Sequence, residues 1–269
     1  MRNLGWWFRP RKVMKLIASF HLRQLLSIIG LICSIQTAAF AQATGNDYIE
    51  ITQPAKILQN VRINGTQGRN VMVQEPLGVI SYDLAFVKEV RMAPTAEFIQ
   101  AQAALDAGQF DVALTKTKAV VDKFKGLPTP WAQDAMVMLG NINLSLGKLE
   151  VAELAFNELE KSYPGSASLS ASLGKARLAA SKKDYATARS TAAPVVAEAL
   201  TKKSVTKAES QAYGMAYFIL GQCAEGEKKL PEAMENYCRT VAIFYQERSV
   251  VAEAQKRVDD LRNKGITVP

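Results

Sequence analysis

The chain has 269 residues, of which 48% are hydrophobic and 22% are charged, a composition typical of one or two globular domains. The formal net charge is +8 at pH 7, but six of the 33 basic residues and none of the acidic ones lie in residues 1–41. The remainder is therefore close to neutral, which argues against a nucleic-acid-binding protein.

Residues 1–41 have the pattern of an export signal. A basic region is followed by an apolar run, residues 25–35, and then by an Ala-x-Ala cleavage pattern that ends at Ala41. The apolar run is short for a membrane span. We therefore predict a periplasmic or secreted protein, with an uncleaved membrane anchor as the alternative. Met14 opens a shorter signal of the same kind, so the sequence leaves open whether Met1 or Met14 is the start.

Cleavage of this signal would change the set of reactive groups. The only histidine, His21, leaves with the signal, so the mature chain would contain no imidazole. Histidine general bases, histidine metal ligands and Ser-His-Asp triads are then excluded. The sequence also has no glycine-rich phosphate loop, metal-ligand spacing or nucleophile motif. We predict a protein that is not an enzyme and that carries no cofactor and no metal.

Residues 42–93 differ in pattern from the rest of the chain. Short alternating or β-branched runs are separated by turn residues such as Asn64-Gly65 and Gly68. They predict a small, strongly curved sheet or barrel of four or five strands, similar in pattern to SH3- and Sm-like barrels. A module of about 50 residues has a marginal core, so we expect it to pack on the residues that follow. It would serve either as a second binding surface or as a structural cap over the first helix of the repeats. The predicted core residues are Ile57, Val61, Ile63, Val71, Val73, Val79, Ile80, Leu84, Val87 and Val90.

An internal repeat organises residues 94–269, where Ala, Leu, Lys and Glu recur at a helical period. Four times, an aromatic residue or Leu just after a turn is followed three residues later by Ala. These pairs are Phe110/Ala113, Leu149/Ala152, Tyr185/Ala188 and Leu230/Ala233. Each predicts two helices that cross closely, and residues 251–264 predict an amphipathic helix that covers the end of the last pair.

The pairs resemble the tetratricopeptide repeat family over residues 95–248. The second unit carries the family pattern at Leu139-Gly140, Gly147, Leu149, Ala152, Phe156 and Pro164, and the fourth at Tyr217, Leu220-Gly221, Leu230, Ala233 and Tyr237. The resemblance implies a mainly α fold, a solenoid of four helical hairpins plus a capping helix, preceded by the small β module. Small residues at Gly140 and Gly221 would let the helices cross, with Phe156 and Tyr237 filling the space beside them.

The resemblance also implies that the first helices of the units line a concave groove. An apolar floor with amides and a cation suits an extended peptide, because amides pair with the peptide backbone and apolar residues take side chains. The predicted partner-binding residues are Phe98, Gln102, Asn141, Arg177, Phe218 and Gln222. The other positions implied to face the groove, some of them as core between helices, are Leu105, Asp134, Val137, Leu144, Leu173, Met215 and Glu225.

We therefore predict an exported scaffold or adaptor that binds another protein of the cell envelope through this groove. The alternative is that the β module binds a cell-wall polymer or a membrane-proximal ligand, with the repeats as a spacer or oligomerisation element. Self-association through a solenoid end also stays open. So does peripheral contact with an anionic surface through three lysine pairs at turns, at 182–183, 202–203 and 228–229. The positions of Cys223 and Cys238 favour two separate thiols over a disulfide.

Overall fold

The computed structural model describes residues 45–165, 168–245 and 248–268. The predicted signal, residues 1–41, lies outside the described residues. Within the described ranges, a five-stranded antiparallel sheet is followed by nine helices. The predicted fold class, a mainly α solenoid of helical hairpins after a small β module, is confirmed.

The sheet is built from consecutive strands that turn back on one another. Its strands are β1 Asp47–Thr52, β2 Ala55–Gln67, β3 Asn70–Glu75, β4 Gly78–Asp83 and β5 Val87–Arg91. Their order is β4-β3-β2-β1-β5. Strand β2 is long enough to pair with β1 through its first half and with β3 through its second half, with an irregular register between Ile63 and Gly65. Strands β4 and β5 are therefore the two edges.

The sheet packs on the first helices, as expected for so small a module. Its buried residues belong to the same apolar core as the first two helix pairs; they are Ile49, Ile51, Val61, Ile63, Val71, Val73 and Val90. Three predicted core residues are wrong: Ile57, Val79 and Ile80 are 58%, 50% and 39% exposed. Val79 and Ile80 lie on β4, which has a neighbouring strand on one side only. Ile57 lies in the first half of β2, away from the helix that contacts the second half of that strand.

The helical part consists of four antiparallel pairs and a final helix. The pairs are α1 Ala96–Asp106 with α2 Phe110–Phe124, α3 Pro130–Ser145 with α4 Leu149–Ser162, α5 Ser168–Ser181 with α6 Tyr185–Thr201, and α7 Lys207–Gly226 with α8 Leu230–Ala242. The final helix, α9, spans Arg248–Asn263. The described residues contain no helix that is both long enough and apolar enough to cross a membrane.

The turns inside the four pairs share one geometry. Just after the first helix, one residue adopts a left-handed conformation, and its N–H and the next N–H bond back to carbonyls of that helix. In the second pair these bonds run from Gly147 to Leu144 and from Lys148 to Asn143, at 2.9 and 2.8 Å. The left-handed residues are Gly108, Gly147, Lys183 and Lys228, with φ of 69°, 73°, 66° and 62°. The third and fourth pairs thus have lysine in a left-handed backbone conformation that glycine would adopt without strain.

We expect Lys183→Gly and Lys228→Gly each to raise the free energy of unfolding by about 0.5–1 kcal/mol. A Cβ is disfavoured at a positive φ, and neither exposed lysine side chain makes a hydrogen bond or ion pair in the described part of the chain. Denaturant unfolding measures the change. The reverse substitution, Gly147→Lys, should lower the free energy by a similar amount, and a loss of stability in Lys228→Gly would contradict the argument.

Aromatic rings fill the crossings between neighbouring pairs. The ring of Phe156 is fully buried between Gly140 of its own pair and Gly174 of the next, and a Cβ on either glycine would collide with it. Within the fourth pair, Tyr237 lies against Gly221, where a Cβ would be 2.6 Å from a ring carbon. The predicted role of the small residues at the crossings is confirmed.

Trp131, at the start of α3, contacts both the residue that follows strand β5 and the first helix pair. Its Nε1 donates to the carbonyl of Met92 at 3.0 Å, and its ring centroid lies 6.0 Å from that of Phe98 and 5.1 Å from that of Phe124. The indole is almost completely buried and its one donor is satisfied. The contacts of Trp131 are therefore those of a structural core residue.

Cys223 and Cys238 are both free thiols, and Cys223 is buried, which raises its pKa to about 11. A buried thiol that holds its proton so firmly is a poor nucleophile. The residues with described structure contain no group of three or more His, Cys, Asp or Glu side chains placed to hold a metal ion.

Candidate functional site

The final helix, α9, lies across the first helices of the pairs, the side that the repeat resemblance implies is concave. It packs on α8 and also contacts α1, α3 and α7. One stripe of α9, made of Val250, Ala254, Val258 and Leu261, is buried in the core of the third and fourth pairs. An adjacent face of α9 carries Ser249, which is buried, and Glu253. The helix therefore covers the last pair, as expected of a capping helix, and additionally covers the groove.

A buried arginine is at the centre of this contact. The side chain of Arg177, on α5, is only 1% exposed, and its Nη2 lies 2.6 Å from a carboxylate oxygen of Glu253 on α9. The same nitrogen donates to Ser145 Oγ at 3.0 Å, and Nη1 donates to the backbone and side-chain oxygens of Asn141. The guanidinium also lies over the ring of Phe218, 5.0 Å from its centroid. Since a buried charge is costly unless it is paired, these contacts define how α5 and α9 meet.

Two further polar contacts join the first two residues of α9 to α3 and α1. Asn141 Nδ2 donates to Ser249 Oγ at 3.0 Å, and Arg248 forms an exposed ion pair with Asp106 of α1 at 2.7 Å. Ser145 Oγ also donates to Glu253 at 3.0 Å. Three successive first helices, α1, α3 and α5, are thus joined to α9 by polar side chains.

The structure brings the six predicted partner-binding residues together on the concave side, but it buries most of them. Phe98, Asn141, Arg177 and Phe218 are buried, whereas Gln102 and Gln222 are partly exposed. In this conformation α9 lies over the centre of the row, and the partner-binding role of the six residues stays a prediction. The carbonyl oxygen of the Gln222 side chain is buried and makes no hydrogen bond to described residues.

The concave side remains open at one end, between α3, α5 and α7. A cavity of about 250 Å³ lies there. Its walls include Asp134, Val137, Leu169, Leu173, Tyr213 and Met215. A smaller cavity of about 60 Å³ lies between Asp134 and the start of α9 and includes Phe98 and Gln102. Four of the residues implied to face the groove, Asp134, Val137, Leu173 and Met215, do line the open cavity.

Asp134 is the distinctive polar group of this cavity. It is partly buried and makes no hydrogen bond or ion pair with the described residues. Burial raises the pKa of its carboxyl from the ordinary value of 3.8 to about 6, and the charge of Lys207 works in the opposite direction. In the sequence, Asp134 is an acidic residue among the apolar residues of α3. Acidic residues are common near the start of a helix, so nothing in the sequence singled out Asp134 from the other groove positions.

We expect Asp134→Asn to raise the free energy of unfolding by about 1–3 kcal/mol at about pH 7.5. The folded state binds the proton more tightly than the unfolded chain does, so the charged carboxylate destabilises the fold. This penalty is complete above about pH 6 and disappears as the pH falls below the unfolded pKa of about 3.8. Urea unfolding at both ends of this range measures it. Asp122→Asn, at an exposed position of α2, is the control, and a gain independent of pH would refute the expectation.

A family model matches the chain: that of the tetratricopeptide repeat, over residues 100–167. No curated protein matches the chain. Among solved structures, the chain is similar to MamA (41-end) from Desulfovibrio magneticus RS-1, at 19% identity and a TM-score of 0.34, and to the MamA RS-1 ArsTM double mutant, at 20% identity and the same TM-score. Both similarities cover 64% of this chain and 98% of the other.

The match to the tetratricopeptide-repeat family model covers the first two helix pairs. The third and fourth pairs repeat the same hairpin and turn geometry. Repeats of this kind indicate a protein–protein interaction scaffold.

Proposed function

We propose that the protein is an exported, non-enzymatic scaffold that binds another protein of the cell envelope through the open end of its concave side. Export is supported by the basic region, apolar run and Ala-x-Ala pattern of residues 1–41. Location in the cell envelope is part of the same proposal.

The cavity beside Asp134 is the observation that carries the proposal. It combines apolar walls with an acid that has no direct partner, and it lies on first helices, the side that the repeat architecture turns inward. An apolar surface with a few polar groups at its edge is typical of the core of a protein–protein interface. The centre of the groove is occupied by α9, so the open end is the part of the concave side that a partner can reach without moving that helix.

Site-specific photocrosslinking in cells tests this proposal. A photoreactive amino acid at Leu169 or Gln211, both lining the cavity, should capture the same envelope protein. The matched control is Leu154, which is 67% exposed on the second helix α4 and does not line the cavity. Capture of one partner from both cavity positions, and not from Leu154, supports the proposal. Capture from Leu154 alone would move the binding surface to the second helices.

A second candidate function places ligand binding at the β module. It is favoured by a cleft of about 650 Å³ between the sheet and the second helix pair. Its lining includes Leu84 and the cations Arg69, Lys125 and Lys161. Of these, Lys125 pairs with Glu158 at 2.9 Å, and Arg69, which is 81% exposed, lies 3.9 Å from a carboxylate oxygen of Asp83. The same photocrosslinker at Arg69 reports on this candidate: capture there, with none from Leu169, would favour the β module as the binding part and the repeats as its support.

A further inference from the structure

The size of the cavity beside Asp134 limits what can enter it. Its volume of about 250 Å³ is below the range of about 300–1,000 Å³ that is usual for small-molecule and cofactor sites. Its walls are mostly apolar, and Leu173, Tyr213 and Met215 among them are nearly completely buried. A single long side chain of a partner fits these limits better than a cofactor does.

The charges around the cavity select the kind of side chain. Three carboxylates line it, and two of them already have direct partners. Glu198 accepts a hydrogen bond from Tyr213 at 3.1 Å, and Glu209 lies 2.8 Å from Lys202. Asp134 alone of the three makes no hydrogen bond or ion pair to described residues. An incoming cation therefore meets an acceptor that no neighbour occupies.

The other charged groups near Asp134 do not replace such a cation. Lys207, on α7, is exposed and attracts Asp134 without forming an ion pair with it. Arg248, on α9, lines the smaller cavity but is paired with Asp106 at 2.7 Å. The carboxylate is thus partly desolvated and only weakly compensated, and a charge-assisted hydrogen bond from a ligand would be strong there.

We propose that this cavity binds one basic side chain of the protein partner, with the aliphatic stem against the apolar walls and the cation on Asp134. The inference rests on the proposed function and names the chemistry of the partner at that site. Lysine and arginine both combine an apolar stem with a charged end, which is the combination the cavity offers.

Binding of n-butylammonium, which reproduces the lysine side chain, tests the inference on the full chain. In NMR titrations, n-butylammonium should shift the methyl signals of Leu173, Ala212 and Met215 and lower the pKa of Asp134, whereas neutral 1-butanol should leave that pKa unchanged. Asp134→Asn should weaken amine binding by about tenfold or more, since it removes the charged acceptor. Lys207→Gln should strengthen it, because a competing cation is removed.

The control is Asp122→Asn, which should bind the amine as the unmodified protein does. Equal shifts from n-butylammonium and 1-butanol, or equal amine binding by Asp134→Asn, would overturn the inference. If the Leu169 crosslink to the partner persists at full yield in Asp134→Asn, the partner uses the concave side without a basic side chain, and the proposed function survives alone. Absence of that crosslink in the unmodified protein overturns the proposed function, and this inference with it.

Discussion

Glu253→Ala should lower the free energy of unfolding by about 2–4 kcal/mol, far more than the loss of an ordinary ion pair. Its carboxylate contacts Arg177, whose side chain is 1% exposed, at 2.6 Å. Removing the acid leaves the guanidinium desolvated beside neutral groups, and that desolvation is the main cost. Glu253 itself is 20% exposed, so water entering its place keeps the effect below that of a fully buried pair.

A double-mutant cycle separates this pairing from other effects of the substitution. Arg177→Met combined with Glu253→Ala should be less destabilising than the sum of the two single changes, by about 2 kcal/mol or more, because the double variant leaves no buried charge. The matched control is the pair Lys182–Glu153, 2.8 Å apart with both side chains nearly half exposed. Its coupling should be about 0.2–1 kcal/mol. Equal coupling energies for the two pairs would show that Arg177 is not effectively buried.

The second large effect concerns Phe156. Phe156→Ala should lower the free energy of unfolding by about 3–5 kcal/mol, because the ring is fully buried between two helix pairs and its loss leaves a cavity. In the unmodified protein, Gly174→Ala should cost about 1–3 kcal/mol, since the new Cβ collides with this ring.

The two substitutions should compensate each other. Once Phe156 is alanine, the space beside Gly174 is empty, and Gly174→Ala should become neutral or stabilise by up to about 1 kcal/mol through helix propensity. Ala197→Gly, at an exposed position of α6, should cost about the same in both backgrounds. Chemical denaturation of the four variants measures the reversal. If Gly174→Ala destabilises both backgrounds equally, the ring is not what requires glycine there.

Local patterns predicted the helical part of the fold well. Gly140 and Phe156 are 16 positions apart within one helix pair, and their contact follows from the hairpin alone. The same applies to the left-handed turn residues, which recur because each hairpin ends its first helix in the same way. The buried residues of the β module were predicted less well. Ile57, Val79 and Ile80 have the right residue types for a core, but strand order decided that they are exposed.

The candidate site was predicted only in part. Arg177 and Asn141 were placed correctly on the concave side, but their contacts with α9 depend on residues 76 and 108 positions away. The residue pattern of a single helix cannot predict contacts between residues so far apart in the sequence. Asp134 likewise became distinctive only when the described structure showed a carboxyl with no direct partner beside a cavity.

By itself, the sequence determined the class of the fold: four hairpins with glycine or alanine at the helix crossings, after a short β module. Such features depend on contacts within one helix pair, and those contacts repeat along the chain. Only the tertiary structure decided which part of the concave side is open. That outcome depends on the buried charge of Arg177, which the carboxylate of Glu253 contacts and which joins α9 to the groove.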